Sequence, residues 1–364
     1  MAGIYIHIPF CYSRCTYCAF FSTTMLEMRS LYVDAVIKEY TLRQGYLPKG
    51  EKIRTIYLGG GTPSQLGNKD LARLLHVLPV NEAEEITVEA NPSDMTEAKL
   101  IAWRDMGINR LSIGIQSFDD TSLAWLNRRH GSKQALKVVK LAQAIGYTNI
   151  SIDLMYALPY QTMEKWKADI DKALALGVQH ISTYCLSYEP GTPLTKWRDK
   201  GLAKEADEEL QNAMYAYLCQ RLTEAGYVHY EVSNFALPGY ESKHNSSYWD
   251  GTPYLGLGAG AHSYDGTSRQ WNVANLKKYL SEIMKGKVPF KREKLTATQQ
   301  YNEQVMLSLR TDKGIVATDE LLQKAQPYLA TGKLRVTDGR IIATLDGINI
   351  LNTIITDLMR DNNE

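Results

Sequence analysis

The chain has 364 residues, 44% hydrophobic and 22% charged, the balance of a folded protein rather than of a disordered one, which would combine low hydrophobicity with high net charge. Lys and Arg number 41 against 40 Asp and Glu, a formal charge of +1, so no bulk basicity points to nucleic acid or to a membrane surface. The longest stretch free of Asp, Glu, Lys and Arg, residues 173–188, is too short to span a bilayer and holds Gln179, His180 and Ser182. With no charged leader followed by an apolar segment at the start, a cytoplasmic location is expected.

A chain of this length suits one large α/β body plus an accessory domain. Short apolar runs rich in β-formers fall at 3–8, 53–58, 85–89, 110–115, 149–155 and 180–186. Amphipathic segments at 29–42, 69–78, 97–106, 132–144 and 164–176 alternate with them. Strands separated by helices predict right-handed βαβ units and a parallel sheet. Six units are fewer than the eight of a closed barrel, so an open, TIM-like (β/α)6 partial barrel is expected over residues 1–228. Gly59-Gly60-Gly61, Asn91 and Gln116 follow directly on the runs, at the strand ends where parallel folds bind ligands.

A helix is expected at 205–225. Residues 230–265 then turn rich in Gly, Tyr and Ser with little helical periodicity, 275–285 reads as a helix, and Pro289 within the basic run 287–294 reads as a linker. Residues 229–292 are therefore expected to connect the barrel to a small α+β domain at 293–364. In that domain helices are predicted at 297–309, 318–325 and 347–359, with a hairpin at 334–344 around Asp338-Gly339. The order helix, helix, hairpin is winged-helix-like, but no basic recognition face supports nucleic-acid binding.

Five cysteines, an odd count without an export signal, do not suggest a disulfide framework. Cys185 and Cys219 are isolated in apolar surroundings and are expected as buried free thiols. Cys11-Tyr-Ser-Arg-Cys15-Thr-Tyr-Cys18 instead puts three thiols within eight residues, directly after a predicted strand. A [4Fe-4S] cluster takes one thiolate per iron, so such a loop can hold three corners and leave the fourth iron for another ligand. Zinc, the alternative, wants four ligands, and the nearby candidate is His7, which a strand would point away. An open iron beside Leu58-Gly59-Gly60-Gly61-Thr62-Pro63 suggests S-adenosylmethionine, whose amino and carboxylate groups can chelate iron and which a cluster electron can cleave to a radical. Glycines there let backbone groups approach a ligand without interference from Cβ.

Further motifs run across nearly the whole chain: Tyr5-Ile-His-Ile-Pro-Phe-Cys11, Glu89-Ala-Asn-Pro92, Gly114-Ile-Gln-Ser117, Asn127-Arg-Arg-His130, Ile152-Asp-Leu-Met-Tyr156, Leu158-Pro159 and His229-Tyr-Glu-Val-Ser-Asn234. In this order they resemble the radical S-adenosylmethionine (SAM) proteins of the oxygen-independent coproporphyrinogen III oxidase group. The resemblance implies that Cys11, Cys15 and Cys18 hold the cluster and that Tyr5, Gly60 and Glu89 bind the SAM linked to it. It places Gly61, Thr62, Gln116, Arg128 and Asp153 at positions that surround a second such molecule in the oxidases. Their chemistry is suitable: Glu89 and Asp153 can accept bonds from ribose hydroxyls or an amino group, and Arg128 can clamp a carboxylate.

The chain departs from the oxidases in two respects. Phe20 stands where they carry a further cysteine, and only ten residues precede Cys11 where they have a longer segment. In both it is similar to the HemW-type heme chaperones, whose HNxxYW motif it carries as His244-Asn-Ser-Ser-Tyr248-Trp249. The resemblance implies a heme chaperone with three cofactors, the [4Fe-4S] cluster, SAM and heme. Its partners would be heme and heme-acceptor proteins, with transient membrane contact through those acceptors. The second reading is an oxidase that decarboxylates coproporphyrinogen III propionates by radical hydrogen abstraction; no residue is singled out as catalytic. His244 is the expected heme ligand, with aromatic neighbours to stack on the porphyrin, and His229 and His262 stay open as rivals.

Overall fold

The computed structural model describes residues 2–361, so positions 1 and 362–364 of the expected domains lie outside the described residues. Strands β1 (Ala2–Ile8), β2 (Ile53–Gly60), β3 (Glu85–Ala90), β4 (Arg110–Gln116), β5 (Ile150–Tyr156) and β6 (His180–Cys185) lie side by side, parallel and in chain order. Helices Arg29–Leu42, Asn68–His76, Glu97–Asp105, Ser132–Ile145 and Met163–Ala175 form the crossovers. Every one of these elements ends within two residues of its predicted limits.

The two faces of the sheet divide by the period of two. Ile4, Ile6 and Ile8, Ile56 and Leu58, Ile86 and Val88, Leu111, Ile113 and Ile115, and Ile150, Ile152 and Leu154 are buried in one apolar core with the helices. The alternate positions, among them Tyr5, His7, Thr55, Tyr57, Glu85, Glu89, Arg110, Ser112, Ser151, Asp153 and His180, face the lumen. The apolar layer holds the barrel together, which frees the lumen to be polar.

Residues 229–292 do not form the expected connection between bodies; they build both edges of the sheet. β7 (Val228–Glu231) and β8 (Asn234–Ala236) continue it antiparallel beyond β6. β9 (Tyr254–Leu257) pairs parallel with β1, and β10 (His262–Tyr264), β11 (Ser268–Asn272) and β12 (Phe290–Lys294) extend that edge. The predicted linker is thus an edge strand. All five residues of β12 are exposed, so no apolar alternation betrays it, and its charges protect the open edge from further pairing. The short helix Lys243–Trp249, capped by Ser242, was also not expected in this segment; seven residues are too few for a helical period to show.

The C-terminal part has its own core, built from Val305, Leu309, Ile341, Leu351 and Ile354 among others. Helix Ala297–Ser308 and the hairpin of β14 (Leu334–Thr337) and β15 (Arg340–Ala343) appear as predicted, with Asp338 and Gly339 at φ 50° and 71° making the tight turn, while helix Asp319–Ala330 runs five residues past its predicted end at 325. The two-residue strand β13 (Ile315–Val316) completes a three-stranded antiparallel sheet, and the predicted last helix is broken into Leu345–Ile348 and Leu351–Leu358. No helix among the described residues is long and apolar enough to cross a membrane.

Candidate cofactor site

A cavity of about 640 Å³ opens at the C-terminal ends of the parallel strands. Its wall brings together Cys11, Cys15 and Cys18 with Gly60, Gly61, Thr62, Glu89, Gln116, Arg128 and Asp153, ten of the twelve residues singled out in the sequence. The other two, Tyr5 and His244, lie outside its wall.

The cysteine loop leaves β1 after Ile8 and is held at several points. Cys11 N donates to Thr23 O at 2.9 Å, and Thr23 N to Pro9 O at 2.7 Å. Thr16, buried, ties the loop to the far wall: its N–H and hydroxyl donate to Leu126 O and Trp125 O at 3.3 and 2.9 Å, and its carbonyl accepts from Leu194 N at 3.0 Å. Asn127, with a left-handed φ of 56°, donates to Arg14 O at 2.8 Å. Donors reach the sulfur atoms, among them Thr62 Oγ1 to Cys11 Sγ and Arg128 Nη1 to Cys15 Sγ, each at 3.4 Å. Hydrogen bonds to sulfur are among the levers that tune an iron–sulfur cluster.

Burial raises the thiols of Cys11 and Cys18, and the neighbouring Arg14 works against that shift. Among the described residues, no three His, Cys, Asp or Glu side chains converge closely enough to hold a single metal ion. Three soft donors spread round one cavity, each able to meet a different metal atom, fit a polynuclear cluster.

The strand ends supply the rest. Gly60 has φ 111°, and a Cβ there would lie 2.5 Å from the His7 ring; at Gly61 it would meet Pro9 at 2.7 Å. Both positions therefore require glycine if the backbone is to line the cavity. Glu89 Oε2 accepts from Gly60 N at 3.0 Å and Oε1 from Tyr57 OH at 2.8 Å. Burial, with Asp153's charge adding, lifts the Glu89 carboxyl to about 7, against the pull of those two donors. Burial likewise holds the Tyr57 phenol far above its ordinary range, so it remains a donor. Asp153, raised by burial, accepts from Ser112 Oγ at 3.3 Å. Gln116 sits at the register irregularity between β4 and β5 with φ 72°, which turns the chain at the cavity rim. Arg128 also donates to Gly114 O, while its Nε is buried without a partner.

Tyr5 lies beside the cavity, its hydroxyl 3.1 Å from His7 Nδ1. His7 Nε2 is 2.9 Å from Phe21 O and must donate to it, so Nδ1 accepts from Tyr5. His244 is elsewhere: it is fully buried at the other end of the lumen, with Nδ1 2.7 Å from Thr55 Oγ1 and Nε2 2.9 Å from Tyr248 OH. Both ring nitrogens are occupied, so the expected axial ligand presents no lone pair to a heme in this fold. Cys185 also departs from expectation, being exposed on the cavity wall, whereas Cys219 is buried as expected. Tyr57, Thr16 and Cys185 join the site without a motif in the sequence that marks them. The lumen periodicity that marks Thr55 and Gly59 would have pointed to Tyr57; the contacts of Thr16 and Cys185 come from distant parts of the chain.

Residues 5–173 match the model of the radical SAM superfamily. Over 317 residues, 86% of this chain and 82% of its relative, the sequence is 39% identical to the heme chaperone HemW of Lactococcus lactis subsp. lactis. It is 36% identical over 325 residues to that of Bacillus subtilis, covering 86% and 85% of the two chains. The solved structure of coproporphyrinogen III oxidase (HemN) from Escherichia coli, described as a radical SAM enzyme, superposes with a TM-score of 0.83 over 98% of this chain and 90% of that one, at 24% identity. That likeness shows the fold, the radical SAM partial barrel with its small C-terminal domain. The family's cofactors are a [4Fe-4S] cluster and SAM, which suit the donors and glycines lining the cavity. Relatives this similar over most of their length place the chain in the HemW family of the radical SAM superfamily.

Proposed function

We propose that the chain is a cytoplasmic heme chaperone that binds heme and passes it to acceptor proteins, meeting membranes only transiently through those acceptors. Cys11, Cys15 and Cys18 hold its cluster, and Tyr5, Gly60, Gly61, Thr62, Glu89, Gln116, Arg128 and Asp153 bind or support SAM. The observation that carries this reading is the convergence of ten of these residues on one cavity at the strand ends. When bound, a cluster with an open iron supplies single electrons to a chelated SAM. The chain's own part is to donate hydrogen bonds to sulfur from Thr62 and Arg128, to offer the Glu89 carboxylate to cofactor donors, and to keep the rim glycines out of the way. Residues 229–292 act with the barrel as one unit and those from 293 on as an attached domain, a reading supported by the separate cores.

The chaperone reading is favoured over the oxidase by Phe20. It stands at the cavity mouth, 74% exposed, with Tyr12 63% exposed beside the same opening. A flat apolar ligand can rest on such rings. Of the rival imidazoles, His229 is stacked on Phe235 at 4.2 Å with Nε2 3.2 Å from Tyr215 OH. His262 is exposed, its ring 6.1 Å from that of Trp271, and takes the place of His244 as the proposed axial ligand. Hemin titration followed at the Soret band tests this. His262→Ala should weaken binding or shift the band while His244→Ala leaves both unchanged; the reverse outcome returns ligation to His244. Anaerobic incubation with coproporphyrinogen III, SAM and reductant should give no protoporphyrinogen, and conversion would establish the oxidase instead.

A further inference from the structure

The HNxxYW segment closes the floor of the barrel. Its helix seats its first N–H groups on a buried carboxylate, Lys243 N and His244 N each donating to Glu85 at 3.0 Å. Glu85 in turn lies 4.0 Å from Arg110, equally buried. The His244 ring passes over Gly3, where a Cβ would come within 3.2 Å of it. Hydrogen bonds at both nitrogens, to Thr55 and Tyr248, leave the ring a single orientation. In that orientation its face lies on Tyr57, centroids 4.9 Å apart and planes 22° apart. Tyr5 flanks Tyr57 as well, at 6.2 Å and 27°. His244 and Tyr5 also stack on each other, centroids 6.4 Å apart and planes 27° apart, so the three rings form one cluster, and the Tyr57 hydroxyl, 2.8 Å from Glu89 Oε1, is one of the two donors that fix that carboxylate at the cavity wall.

We infer that His244 is a positioning residue for the SAM site: by bracing Tyr57 it holds the Glu89 carboxylate toward the cavity, and it is not a heme ligand. This rests on the reading of the cavity as a SAM site. The residue types suit the task. Burial and the nearby Arg110 lower the imidazole to about 3, so the ring is neutral and attracts no water or anion into the floor. Tyr248 and Thr55 serve as hydroxyl partners that can match either tautomer. Removing the ring would leave a void under Tyr57, letting it turn away and leaving Glu89 with the Gly60 N–H alone.

The test uses the full chain with its cluster reconstituted anaerobically. SAM is titrated while the electron paramagnetic resonance of the reduced cluster is followed, alongside iron and sulfide content, thermal unfolding and hemin binding. His244→Ala and Tyr57→Phe should each weaken SAM binding about tenfold, near 1.4 kcal/mol, with iron content and hemin binding unchanged. The double variant should lose little more than either single one, because both act through one contact. His244→Phe, which keeps the flat face, should recover most of the affinity, and it carries the test if His244→Ala does not fold. Wild-type affinity in Tyr57→Phe or in His244→Ala overturns the inference, as does loss of hemin binding with SAM binding intact. No response to SAM in the wild type would defeat the SAM-site reading itself and the inference with it; a wild-type response kept by every variant defeats the inference alone.

Discussion

The two ends of the barrel lumen both carry polar, motif-rich residues, yet one is open and the other sealed. At the C-terminal end, thiols, glycines and carboxylates surround a cavity of about 640 Å³. At the N-terminal end, His244, Thr55, Glu85 and Arg110 are buried against one another beneath the helix Lys243–Trp249. The same residue types mean different things at the two ends. A side chain is a ligand only where a lone pair faces space, and at the floor the imidazole's lone pair and N–H are both taken up by neighbouring hydroxyls. Three cysteines in one loop have little structural use of their own, whereas a His-Tyr pair four residues apart on a helix can satisfy itself.

Iron content separates the two ends most sharply. Replacing Cys11, Cys15 or Cys18 by Ala should abolish the roughly four iron and four sulfide per chain that anaerobic reconstitution gives. His244→Ala should keep them, because the floor supplies no ligand to the cluster. Cys185→Ala should keep them too, although Cys185 shares the cavity wall. Iron retained in Cys18→Ala but lost in Cys185→Ala would exchange their roles.

The open end was far more legible in the sequence than the sealed one. Strands β1–β6 declare themselves because burial on the outer face writes Ile, Leu and Val at every second position, as in Ile4, Ile6 and Ile8. The cavity follows from them, since each motif comes directly after a strand and the topology brings parallel strand ends together. The edge strand β12 has no apolar side to bury, so Phe290–Lys294 looks like a linker. The apolar neighbours Tyr184 and Leu186 suggest burial for Cys185, whereas β6 ends there and turns the thiol to the rim. The burial of His244 is not legible in the sequence, because its partners, Thr55 and Glu85, lie far away in the chain and no local pattern connects them.

Glycine at the two ends should respond unequally to a single added methyl. Gly60→Ala puts a Cβ 2.5 Å from the His7 ring at φ 111°, a conformation that alanine adopts only under strain. It should cost about 2–3 kcal/mol in urea unfolding and impair SAM binding as well. Gly3→Ala has no adverse φ, but its Cβ meets Thr55 Oγ1 at 2.8 Å and the His244 ring at 3.2 Å, two groups tied by their own hydrogen bond, one of which must move. About 1 kcal/mol is expected there. An equal or larger loss at Gly3 would show the floor to be the more rigid end.

The smallest expected effect concerns protons, and it too divides the ends. His244, lowered to about 3, stays neutral throughout the working range, so the floor should be silent between about pH 6 and pH 8. Glu89, raised to about 7, titrates within that range. Its protonated form cannot accept hydrogen bonds from a cationic amino group or a ribose hydroxyl as well as the carboxylate can, so SAM affinity should follow the ionised fraction. That fraction falls about tenfold from pH 8 to pH 6, and the affinity should fall with it, to be read from cofactor titrations at each pH. The stability of the cofactor-free chain should run the other way. A carboxyl raised by folding binds protons more tightly in the native state, so its contribution is largest below the ordinary value of 4.5 and is lost as pH rises toward 7. Glu89→Gln, which cannot ionise, should flatten the SAM trend, with a uniformly weaker affinity, and lessen the stability trend, the rest of which belongs to Glu231, also raised by burial to about 7. A pH dependence of SAM affinity that survives in Glu89→Gln would assign the titration to another group at the open end, Asp153 first, since its burial raises its carboxyl in the same cavity.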